Sequence, residues 1–151
     1  MKLDMNNQTR NVKTKKVKLY EERGETSRYI DAEVNKDGDL IIFGQDIGKT
    51  PHEFWGDSDY EFWVHVAAKY KDDVFRVLLE KLNHDNVEAD DDFRDFMRSR
   101  KILWVYLPTE QKDDVLLALI KKLYAGNPKT VDHFKDFMMS KEIPAEFDSW
   151  A

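Results

Sequence analysis

Residues 71–82 read KDDVFRVLLEKL, and residues 112–123 read KDDVLLALIKKL. The echo is wider than those two stretches. Residues 62–102 align without a gap to residues 103–143, with 17 of 41 pairs identical, among them Trp63 with Trp104, Asn86 with Asn127 and Phe96 with Phe137. Self-similarity at a fixed period marks a duplicated structural unit.

Each copy opens on an alternating run, FWVHVA at 62–67 or LWVYLP at 103–108, which predicts a strand. A helix follows, because Val74, Phe75, Leu78, Leu79 and Leu82 recur at helical spacing and Val115, Leu116, Leu119, Ile120 and Leu123 repeat the stripe. Phe93, Phe96 and Met97, matched by Phe134, Phe137 and Met138, predict a shorter second helix, with a turn at Gly126, Asn127 and Pro128 before it in the second copy. The unit is therefore strand, helix, helix. The acids of the two KDD motifs fall in the first turns of their helices, where negative charge favours the exposed N–H groups, so they are assigned to structure rather than to paired-carboxylate chemistry.

Upstream, KKVKLYEE, SRYIDAEV and DLIIFG are strand-like and are separated by turn signals at Arg23–Glu25 and at Asp37-Gly38. The expected fold class is α+β: an N-terminal antiparallel β-meander joined to two tandem repeats, with the helices on one sheet face. Residues 1–14 are expected to be a basic flexible tail and residues 15–151 a single domain. Residues 1–18 carry a formal charge of +5, so the other 133 residues sum to -11 within a total of -6. Nucleic-acid binding through Lys13, Lys15, Lys16 and Lys18 is the weakest of the functional readings for that reason. No cysteine is present, which removes thiol catalysis, disulfides and cysteine-based zinc sites. No apolar run reaches membrane-spanning length, and the expected location is cytoplasmic.

FGQDIGKT at 43–50 imitates a phosphate-binding loop, but the first glycine of that motif would fall at position 43, which is Phe43. Thr50, Pro51 and Glu53 fit a capping box better, predicting one helical turn at 51–55. The expected 44–58 connection is long enough to present ligand-binding groups, and Gln45, Asp46, His52 and Asp57 are its candidates, joined by Asp59 and Glu61. In DSDYEFWVH at 57–65, alternation puts Asp59, Glu61, Trp63 and His65 on one face and Tyr60, Phe62 and Val64 on the core face. No metal-ligand spacing accompanies them, and His52, His65, His84 and His133 are scattered, so neither a metal, a cofactor nor a catalytic residue is assigned. The duplication matches Trp63 with Trp104 and His65 with Tyr106, which marks these four as a candidate aromatic partner-binding patch. Residues 85–95, DNVEADDDFRD, carry an acidic patch of Asp85, Glu88, Asp90, Asp91 and Asp92 that the second copy lacks.

The stretch DGDLIIFGQDIGKTPHEFWGDSDYEFW at 37–63, with the ending FDSWA, resembles a group of small bacterial proteins that share a GQD-G loop followed by FWGDSDYE-W. The resemblance covers most of residues 17–151, suggests a bacterial or phage source, and implies no activity. The sequence-based expectation is a non-enzymatic protein-interaction module of inhibitor or immunity type. The competing expectation is a small-ligand-binding or hydrolytic domain built on the 44–58 loop and the Asp59/Glu61/His65 strand face.

Overall fold

The computed structural model describes residues 14–49, 51, 53, 59–85 and 106–150. Five strands, β1 (Lys15–Glu22), β2 (Thr26–Val34), β3 (Leu40–Gly48), β4 (Asp59–Val66) and β5 (Glu146–Trp150), form one sheet in sequence order with every neighbouring pair antiparallel. The helices are α1 (Lys71–Asp85), α2 (Thr109–Tyr124) and α3 (Thr130–Ser140). The architecture is α+β with an N-terminal meander, and no described helix is long and apolar enough to cross a membrane.

The β2–β3 hairpin follows from local chemistry. Gly38 takes φ +87°, and the Asn35 side-chain oxygen accepts from the N–H groups of Asp37 (2.9 Å) and Asp39 (3.0 Å), closing the turn without tertiary help. The other end of β3 depends on Gly48. There φ is +129°, and an added Cβ would lie 2.1 Å from the carbonyl oxygen of Glu25, which also accepts the Lys49 N–H at 3.0 Å.

Alternation sorts the sheet into two faces. Ile30, Ala32, Val34, Leu40, Ile42, Phe62, Val64 and Val66 are buried and share one of them. Onto it pack the apolar stripes of the helices: Val74, Leu78 and Leu82 from α1, Leu116, Leu119 and Ile120 from α2, and Phe134 and Met138 from α3. Every fully buried strand side chain among the described residues belongs to this helix face. The two KDD motifs are wired into ion pairs: Lys71 Nζ meets Asp113 Oδ1 at 2.7 Å with both side chains about nine-tenths buried, and Lys15 Nζ meets Asp114 Oδ1 at 2.8 Å.

Several expectations are corrected. β3 runs to Gly48, so Gln45 and Asp46 are strand residues and not part of a connecting loop. Their polar side chains disguise a strand whose register with β2 and β4 is unbroken. Tyr106 and Leu107 form a turn ahead of α2 and not the strand of a second repeat, while Trp104 and Leu103–Val105 lie outside the described residues. So do residues 1–13, the Phe93/Phe96/Met97 helix, His52, Asp57, and Glu88, Asp90, Asp91 and Asp92 of the acidic patch. Asp85 is the last residue of α1. Lys49, Pro51 and Glu53 have helical backbone, close to the expected turn. The tail residues 146–150, to which no element is assigned from the sequence, form a strand beside β4.

Candidate functional site

Opposite the helices lies the second sheet face, half-buried rather than covered by any described helix. Register fixes its composition. One row across the strands holds Lys18, Asp31, Phe43, Trp63 and Asp148; the next holds Lys16, Glu33, Ile41, His65 and Glu146; on the other side run Glu21, Tyr29, Gln45, Glu61 and Trp150. At about 4.8 Å between strands, each row spans roughly 19 Å.

Phe43 and Trp63 are directly opposed, with ring centroids 6.4 Å apart and planes inclined by 18°. Such a cross-strand aromatic pair is held by two central strands, so its geometry is set by the sheet and not by a loop. Around it are carboxylates. Glu21, Asp31, Glu33, Glu61, Glu146 and Asp148 lie in the three rows, with Asp39 and Asp59 at the margins, against Lys16 and Lys18 on β1 alone. Among the described residues, Asp31, Glu33 and Glu61 have no hydrogen-bond or ion-pair partner, and each is partly exposed.

Three polar contacts order the margin. Gln45 Nε2 donates to Asp59 Oδ1 at 3.0 Å. His65 Nε2 lies 2.8 Å from Asp39 Oδ2, while Asp39 Oδ1 accepts the Ala68 N–H at 2.9 Å. The His65 hydrogen bond, and more weakly the Ala68 N–H, hold the Asp39 carboxyl below its ordinary value of 3.8. A depressed native pKa means that the stabilisation is complete above the unfolded value and is lost as pH falls through the native one. Urea unfolding is therefore expected to show wild type more stable than Asp39→Asn at pH 6, with the gap closing as pH falls below about 3.8. A gap that stays constant down to pH 2 would remove the carboxylate from this account.

The four described ligand candidates, Gln45, Asp46, Asp59 and Glu61, divide between the two sheet faces. Asp46 is on the helix face, where Arg28 grips it through Nε–Oδ1 and Nη2–Oδ2 bonds of 2.6 Å each. Arg28 also donates from Nη1 to the Pro128 carbonyl (3.0 Å) and lies 5.2 Å from the centroid of the Phe62 ring. That clamp joins the sheet to the α2–α3 turn and leaves Asp46 nothing to offer a ligand. Gln45, Asp59 and Glu61 are on the open face with His65, and no group of three or more His, Asp or Glu side chains among the described residues is arranged to hold a metal.

Of the four partner-binding candidates, Trp63 and His65 share the open face. Tyr106 is 83% exposed and lies outside the sheet. Sequence reasoning missed Phe43, Ile41, Trp150 and the acids of β5. A partial signal was present for Phe43 and Ile41, which lie in the continuous apolar run LIIF, whereas the polar residues after Gly44 and the mixed string EFDSW carry no clear strand period. Surface hollows occur on the helix side. One of about 330 Å³ separates α1 from α3 beside Phe137, and one of about 360 Å³ is bordered by the paired Lys71 and Asp113. The basic cluster is partly spent, since Lys15 is held by Asp114 and Lys18 lies 2.6 Å from Glu21.

No family model, curated protein or solved structure matches the chain.

Proposed function

We propose that the chain is a protein-interaction module whose binding surface is the open sheet face centred on Phe43 and Trp63. The observation that carries this reading is the stacked Phe43–Trp63 pair, half-buried on central strands and bordered by carboxylates. Aromatic anchors on rigid elements supply most of the energy of protein interfaces, while surrounding charge sets partner choice and encounter rate. Small size, an acidic body, no cysteine and no catalytic constellation in the sequence extend the proposal to an inhibitor or immunity-type factor acting on another protein.

The test is affinity capture from bacterial lysate with wild type and a Phe43→Ala/Trp63→Ala variant, after melting curves show both folded. The expected result is a partner held about 30-fold more weakly by the variant, the equivalent of a loss of about 2 kcal/mol at a hot spot. Equal retention by the two proteins would overturn the assignment to this face. Turnover of a small molecule by a chain that retains no protein would overturn the function itself.

A further inference from the structure

The two edges of the sheet differ. On β1 a bulge between Lys18 and Tyr20 breaks the ladder, and the Leu19 carbonyl accepts the Gly126 N–H from the α2–α3 turn at 2.9 Å. β1 is thereby a poor template for another strand. Among the described residues β5 has no such closure: it pairs with β4 on one side, and all five of its residues are exposed. Among the described residues nothing pairs with its outer edge.

The side chains of β5 are sorted by charge. Glu146, Asp148 and Trp150 extend the open face, next to His65, Trp63 and Glu61 respectively. Phe147 points to the helix face and is 43% exposed, with Lys135 Nζ 5.3 Å from its ring centroid. It borders a hollow of about 140 Å³ that Arg28, Tyr60, Phe62 and Asp132 also line.

A second β5 is a bad occupant of this edge. Antiparallel pairing centred on Asp148 would set Asp148 against Asp148, and like charges directly opposed destabilise a ladder. The only described contact of that carboxylate is local, accepting the Ser149 N–H at 2.8 Å, and is exchangeable. We infer that β5 receives an extended segment of a basic partner protein as a sixth strand, with Lys or Arg beside Glu146 and Asp148 on the open face and an apolar residue beside Phe147 on the other. Backbone bonding supplies affinity in such strand addition, and alternate side chains supply specificity. The sorting also favours one facing, because the segment's cations meet Glu146 and Asp148 on one side, whereas the other side presents Phe147 with Lys135 beside its ring. This inference rests on the open face being the partner surface, of which β5 is the continuous margin.

The probe is a seven-residue peptide of alternating Lys and Val, with an alternating Glu and Val peptide as its counterpart, added to the full chain at up to millimolar concentration. Backbone amide exchange, read by NMR, is expected to slow at least 10-fold along β5 with the Lys/Val peptide only, and binding is expected to weaken as salt is raised. Glu146→Lys/Asp148→Lys should transfer the preference to the Glu/Val peptide, a gain that misfolding cannot produce. Perturbation of Phe43 and Trp63 with β5 exchange unchanged would overturn strand addition and leave the face reading intact. Protection of β5 by the Lys/Val peptide, in a chain whose Phe43→Ala/Trp63→Ala variant retains its captured partner undiminished, would sustain strand addition and overturn the face reading. No response from either peptide would overturn the inference.

Discussion

Gly44→Val is expected to lower stability by about 3 kcal/mol, which for a chain of this length lowers the melting temperature by about 10 °C. Gly44 and Phe62 are opposed on the helix face, and a Cβ at position 44 would stand 2.3 Å from one Phe62 ring carbon and 2.4 Å from another. The ring has little freedom to retreat: Tyr60 stacks on it at 5.4 Å between centroids, and the Arg28 guanidinium lies over it. The first glycine of GQDIG is thus a packing glycine, kept small so that an aromatic ring can lie across β3. Thermal melts of Gly44→Val, Phe62→Ala and the double variant test this. The double variant should cost less than the sum of the two single ones, because the smaller side chain vacates the space that valine needs. Strict additivity, or a Gly44→Val melt indistinguishable from wild type, would refute the packing role.

Asp46→Ala is expected to cost about 2 to 3 kcal/mol. Asp46 is 8% exposed, and its carboxylate takes both arms of the Arg28 fork. Breaking a buried pair from one side leaves the other charge uncompensated, at about 3–5 kcal/mol when burial is complete. The Arg28 side chain is 34% exposed, and water reaching the freed guanidinium reduces the loss. Arg28→Ala/Asp46→Ala should accordingly be more stable than the sum of the single losses predicts. Urea denaturation measures all four proteins. An Asp46→Ala chain as stable as wild type would return Asp46 to the list of groups free to bind a ligand.

These two positions show where sequence reasoning stops. Asp37-Gly38 announced its hairpin because the turn is closed by atoms within five residues, Asn35 to Asp39. The stripes of α1 and α2 were equally legible, since helical periodicity is written in the order of Val74, Leu78, Leu82 and of Val115, Leu119. Asp46 was misplaced because a carboxylate on the buried face contradicts the strand pattern, and the arginine that satisfies it is 18 residues away. Likewise, alternation placed Trp63 and His65 correctly on the face opposite Val64, yet their neighbours come from β3 and from β5, 85 residues further on from Trp63 at Asp148. Tyr106 shows the converse error: a position matched to His65 by duplication sits in a turn just ahead of α2, where alternation had pointed to a strand.

What the sequence determined alone was therefore local: helix stripes, the hairpin turn, the two faces of β4, and the absence of cysteine chemistry. Periodicity and turn stereochemistry act over a few residues and can be read in order along the chain. The tertiary structure decided the extent of β3, the Arg28–Asp46 clamp, the pairing of β5 with β4, and the meeting of Phe43 with Trp63 among carboxylates. Each of those depends on which distant backbone lies alongside, and that is settled by the burial of a shared core and not by any single segment.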